Sequence, residues 1–136
     1  MERTSTTLKE SADRCEECWV LVGERRGDTW LGRLLDRVVG QPEMVQFDGG
    51  QALGREEALG DVIGFLHTHP NSAASPSQRD VDTMQAWVSA LGKPLLCLIQ
   101  GTDGLRCYCF KDDASRGEEI STIERTEDRI VAVEAP

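Results

Sequence analysis

Residues 61–92 read DVIGFLHTHPNSAASPSQRDVDTMQAWVSALG, and the fold is decided there. Asp61 to His69 is a strand by its short apolar run of Val62, Ile63, Phe65 and Leu66. Pro70 ends it, since proline has no N–H to give to a ladder. Asn71 to Pro76 is a loop of small, turn-forming residues. Ser77 then offers a helix cap, and Val81, Met84, Val88 and Leu91 recur at helical spacing. Gly92 suits the position just past a helix end, and Pro94 forbids continuation. The spacing predicts a helix from Gln78 to Leu91.

Downstream of this unit, Leu95 to Gln100 and Leu105 to Phe110 form two strands around Gly101-Thr102-Asp103-Gly104, a hairpin signal. Upstream, Cys18 to Val22 is an apolar run closed by Gly23 and reads as a strand buried on both faces. Glu24 to Asp28 reads as a turn, Trp30 to Val39 as a second strand and Met44 to Phe47 as a short third one. Gln51 to Leu59 has room for one or two helical turns, although Gly54 weakens them. Residues 1–10 read as a mobile terminus or a short surface helix. From Asp112 onward the chain is charged and weakly patterned, and the alternation at Ile130, Ala132 and Glu134 suggests one last edge strand. The whole is expected to be a single α/β (α+β) domain over 1–136. Its central sheet is mixed and largely antiparallel, flanked by the Gln78 to Leu91 helix and one further helix, with 113–136 as a C-terminal extension.

The 136 residues suffice for one core without disulfide support. The five cysteines, Cys15, Cys18, Cys97, Cys107 and Cys109, are an odd number without a leader, so reduced thiols in a cytoplasm are expected. No apolar run approaches a membrane span. A net charge of −9 gives no footing for a phosphate backbone, which speaks against nucleic acid as partner.

The two histidines of the chain fall in His67-Thr68-His69, at the end of the expected strand. Alternate strand residues share a face, so both imidazoles can meet at one point. A hydrolytic zinc site takes about three nitrogen, oxygen or sulfur ligands plus an open position, so the third ligand must be a carboxylate or a thiolate. Asp80, in the first turn of the following helix, is the natural candidate. The same place equally suits a carboxylate that merely complements the helix dipole.

The stretch from Glu16 through His67-Thr68-His69-Pro70 to Ser77-Gln78-Arg79-Asp80 resembles the JAMM or MPN+ (Mov34/JAB) metalloprotease family. That pattern has a distant Glu, then His-Ser/Thr-His, seven residues, Ser, two residues and Asp; Pro70 to Pro76 supplies the seven. The resemblance covers roughly residues 12 to 112 and implies a JAMM/cytidine-deaminase-like fold. It also implies one Zn2+ per chain on His67, His69 and Asp80, with Glu16 as general base and Glu17 as its alternative. Trp19 stands where relatives place a glycine. Glu16 would take the proton of the attacking water and pass it to the departing amine. Ser77 would donate to the developing oxyanion, an effect of about 3 to 4 kcal/mol for comparable donors.

The activity so implied is cleavage after the C-terminus of a ubiquitin-like protein, as precursor or conjugate. The short chain is similar to compact prokaryotic members, which act beside co-encoded conjugating enzymes, including in antiphage defence. A peptidase maturing a sulfur-carrier protein and a non-catalytic scaffold of the same fold are the alternatives. Cys15, Cys18, Cys107 and Cys109 as a second, structural zinc site is the rival to simple buried thiols. Trp19, Trp30 and Trp87 are expected to pack in the core or at its rim.

Overall fold

The computed structural model describes residues 17–35, 38–39 and 49–135. The expectations for residues 1–10, Cys15, Glu16 and the strand Met44 to Phe47 lie outside the described residues. In chain order the elements are β1 (Glu17–Arg26), β2 (Thr29–Leu34), β3 (Val38–Val39), α1 (Gly49–Leu59), β4 (Val62–Thr68) and α2 (Gln78–Leu91). They continue with β5 (Leu95–Gly101), β6 (Gly104–Phe110), β7 (Glu118–Ile120), β8 (Thr122–Thr126) and β9 (Arg129–Val133). The strands form one nine-stranded sheet in the order β7-β6-β5-β4-β1-β2-β9-β8, with β3 also paired to β1. Among the described strands only β4 and β5 run parallel, joined by the α2 crossover. The mixed, largely antiparallel α+β architecture is the expected one.

The helix α2 has the predicted bounds because each of its end signals acts. Ser77 caps it with extended backbone, and Gly92 closes it at φ 70°, a left-handed conformation that costs glycine little. Val81, Met84 and Val88 turn inward. The shorter helix α1 forms despite Gly54 because its end is tied down. Arg55 clamps Asp61 with two bonds of 2.9 and 2.7 Å, and Glu56 accepts from the Val62 N–H and from Lys93. Its Ala52 is fully buried under the sheet.

Period-two alternation divides the interior into two cores. Cys18, Val20, Phe65, Cys97 and Ile99 face both described helices together with Val81, Met84 and Val88. Leu21, Trp30, Ile63, Leu66, Leu96 and Leu98 face the other way and meet Ile120, Ile130 and Ala132. The edge strands β7 and β8 are separated in the chain by Ser121 alone, so the sheet must roll until its edges almost meet. The second core is the inside of that roll.

Several local expectations change. The turn after β1 is only Gly27 and Asp28, because Glu24, Arg25 and Arg26 pair with Leu31, Trp30 and Thr29 despite their charge. The single strand Trp30 to Val39 is β2 and β3 in one line beside β1. Leu21 pairs with Leu34 but Cys18 with Val38, a one-residue offset at the break. The C-terminal stretch supplies three strands rather than one, and β9 is interior, held between β2 and β8.

Among the described residues, Cys18, Cys97, Cys107 and Cys109 are buried and form no disulfide with one another. Cys18 lies in the helix-covered core and Cys107 and Cys109 in the rolled one, with the sheet between them, so these three do not share a site. Trp30 is buried, its ring beneath the Arg25 guanidinium and its N–H on Glu134. Trp87 packs on Phe65 at a ring separation of 5.0 Å.

Candidate metal centre

A bulge in β4 decides which way its end faces. Leu21 of β1 opposes Gly64 and Val22 opposes Val62, leaving Ile63 as an extra residue. An inserted residue reverses the alternation, so Phe65 and His67 turn to the helix side while Ile63 and Leu66 fill the roll. Gly64 is required there: a Cβ would stand 2.3 Å from the Leu96 carbonyl oxygen of β5. His69 continues the same face just past the strand, its N–H on the Gln100 carbonyl at 2.8 Å.

The two imidazoles converge as alternation predicts, with Nε2 atoms 3.2 Å apart. Asp80 completes the group from the first turn of α2. Its Oδ1 is 3.2 Å from His67 Nε2 and its Oδ2 is 3.1 Å from His69 Nε2. One ligand atom from each residue falls within 4.8 Å of the others. Among the described residues, these three are the buried polar or charged side chains, with His67 3%, His69 8% and Asp80 1% exposed.

Ser77 and Asp80 form a reciprocal capping box. The Ser77 Oγ accepts from the Asp80 N–H at 3.1 Å, and Asp80 Oδ2 accepts from the Ser77 N–H at 2.9 Å. The helix-terminus role and the place beside the histidines therefore coexist on one carboxylate: Oδ2 serves the cap and faces His69, and Oδ1 faces His67.

A cation fits this donor set. The Ala73 carbonyl can only accept, so His69 Nδ1, 2.9 Å away, carries the ring proton and a neutral His69 presents the Nε2 lone pair inward. That lone pair meets a carboxylate and a second ring nitrogen. Asp80 Oδ1 is buried without a hydrogen-bond partner. Electron-rich atoms gathered out of water repel unless something positive sits among them. Two imidazoles and one carboxylate are the ligand chemistry of zinc with an open position.

Ser77 is exposed, and its Oγ uses one lone pair on the helix, which leaves its O–H able to point outward. Glu17 starts β1 with its N–H on the Thr68 hydroxyl at 2.9 Å. Because Cys18 pairs with His67, Glu17 falls on the face opposite the histidines. Sequence reasoning missed the Thr68 hydroxyl and the Ala73 carbonyl. A backbone acceptor leaves no residue-type signal, whereas a hydroxyl between two histidines does.

The chain matches the family model described as prokaryotic homologs of the JAB domain over residues 4–110. No curated protein matches it. Among solved structures it is similar to the solution structure of a protein from Desulfitobacterium hafniense, at 22% identity over 93% of each chain with a TM-score of 0.50. That likeness concerns the fold. The strands β7 to β9, which close the roll, lie beyond the matched residues. With the matched length, the His67-Thr68-His69 strand end and the Asp80 helix turn in agreement, the chain belongs to the prokaryotic JAB domain family.

Proposed function

We propose that this chain is a JAMM-type zinc peptidase that cleaves after the C-terminus of a ubiquitin-like protein, from a precursor, a conjugate or both, in a bacterial conjugation-like pathway of the cytoplasm. The observation that carries the reading is the buried Asp80 carboxylate, whose Oδ1 has no hydrogen-bond partner and lies 3.2 Å from His67 Nε2 while its Oδ2 lies 3.1 Å from His69 Nε2. No helix among the described residues is long and apolar enough to cross a membrane.

A zinc ion held by His67, His69 and Asp80 supplies Lewis acidity and brings the pKa of water to about 7. The chain's own groups do the rest. Glu16 serves as general base toward the attacking water and then as general acid toward the leaving amine. The orientation of Glu17 away from the histidines supports Glu16 over its neighbour. Ser77, exposed beside Asp80, turns its O–H to the developing oxyanion while its lone pair keeps the cap.

The test pairs metal content per chain with cleavage of a ubiquitin-like protein encoded beside the gene, with and without chelator. One zinc and chelator-sensitive cleavage at that C-terminus are expected. One zinc without turnover on any neighbour would point to a scaffold, and absence of zinc would sink the metal reading.

A further inference from the structure

The loop between β4 and α2 is gripped by the β5–β6 hairpin at one peptide group. The Ala73 carbonyl accepts from His69 Nδ1 at 2.9 Å, while the other end of the same amide, the Ala74 N–H, donates to Asp103 Oδ1 at 2.8 Å. The next carbonyl, that of Ala74, takes the Tyr108 hydroxyl at 2.7 Å, and the Thr102 N–H holds the Ser72 carbonyl at 2.9 Å. Ala74 is fully buried, and Gly101 makes the approach possible: a Cβ there would lie 2.4 Å from the Ala74 nitrogen. A carboxylate, a peptide and an imidazole thus stand in series. Metal-bound histidines commonly send their second nitrogen to a carboxylate, which fixes the tautomer and raises ligand basicity. Here an amide is interposed, and a charge on its N–H side polarises the carbonyl toward the ring.

We infer that Asp103 is a positioning residue of the metal centre, acting on His69 through the Ala73–Ala74 peptide, next to which Tyr108 holds the Ala74 carbonyl. The inference rests on the proposed metal reading, but its first observable does not. In the metal-free protein the His69 ring is locked as the Nδ1–H tautomer by this relay. Asp103→Ala frees the Ala73–Ala74 peptide, so the ring samples both tautomers and the zinc affinity falls by roughly 10- to 100-fold, the scale of such outer contacts. Arg106→Ala, which removes the ion-pair partner of Asp103 at 3.5 Å and a contact of Tyr108 but leaves the Asp103–Ala74 bond itself, controls for general damage to the hairpin.

The experiment reads the ring nitrogens of His69 by long-range nitrogen–proton correlation in the apoprotein, and zinc affinity by chelator competition, for the wild type, D103A, D103N and R106A. Expected are a fixed tautomer and full affinity in the wild type and R106A, and loss of both in D103A. An unchanged tautomer and affinity in D103A would overturn the proposal. Should D103A fail to fold, D103N decides: it keeps an acceptor but removes the charge, so a wild-type tautomer and affinity there overturn it and a mixed tautomer with weaker zinc supports it. A wild type that binds no zinc yet shows the locked tautomer, lost in D103A, would refute the metal reading and leave the positioning role standing.

Discussion

On the inside of the roll, β4 and β5 contribute Ile63, Leu66, Leu96 and Leu98, all apolar; on the helix side the same strands contribute Phe65, Cys97 and Ile99 and then end in His67. The two faces share one backbone and differ in what can reach them. The inside is sealed by other strands, whose ladders have no donors to spare, so a polar side chain there would stay unpaired. At the C-terminal end of β4 the helix side meets a loop carbonyl and the free N–H groups of a helix terminus. Those groups make burial of His67, His69 and Asp80 affordable, and the chemistry gathers where backbone partners are left over.

The sharpest break between the faces should come from Asp80→Ala. Zinc affinity is expected to fall by at least the roughly hundredfold seen when outer contacts of a ligand are lost, and cleavage to cease. Loss of the box costs the fold only about 1 kcal/mol. Chelator competition beside denaturant unfolding checks both numbers. Glu16→Ala sharpens the same point, since it should stop cleavage and leave the metal bound; equal zinc loss in both variants would remove Glu16 from the base role.

Leu98→Ala probes the opposite face. It should cost about 2 to 5 kcal/mol in unfolding, the range for a large-to-small change in a packed core, while the folded protein keeps one zinc per chain. Loss of metal without loss of stability would contradict the separation of the two cores.

The thiols inside the roll give a smaller, pH-dependent effect. Burial pushes Cys109 up to about 11, and Cys107 is raised further by the same cause. A thiol raised in the folded state stabilises below its unfolded value, about 8.5, and that contribution is lost as pH climbs through the folded one. Stability should therefore decline between roughly pH 8.5 and 11. Both thiols should resist alkylation at pH 8 until the protein unfolds, and rapid labelling of native protein would place them elsewhere.

The smallest effect is expected at Glu127, which takes a left-handed φ of 54° in the tight β8–β9 connection. Glycine adopts that conformation without strain, so Glu127→Gly should raise stability by up to about 1 kcal/mol in thermal or denaturant unfolding.

Much of this was legible from residue type. The helix Gln78–Leu91 could be placed to the residue because Ser77, the apolar spacing and Gly92 agree, and His67 could be paired with His69 because alternation is geometric, whereas Asp80 joined them through the likeness of Ser77-Gln78-Arg79-Asp80 to the family pattern. The extent of β1 was not, since Glu24, Arg25 and Arg26 are exposed and strand only through their pairing with β2. Nor was the interior place of β9, whose Ile130 and Ala132 suit an edge and a centre equally until β2 is seen beside them. The bulge at Ile63 escaped notice because an apolar run hides its own phase. The Asp103 relay escaped because half of it is backbone.

The closure of the roll also dictates an order of events during folding. Thr29 of β2 pairs with Val133 of β9, across about a hundred residues of chain. As the chain leaves the ribosome, Leu21, Trp30 and Leu34 are made early but obtain their final cover only when residues 129–133 arrive. Such distant pairing pays its loop-closure entropy before it gains any contact, which slows folding and prolongs exposure of apolar surface. The candidate ligands, within 14 positions of one another from His67 to Asp80, belong to a local unit that can assemble well before that seal.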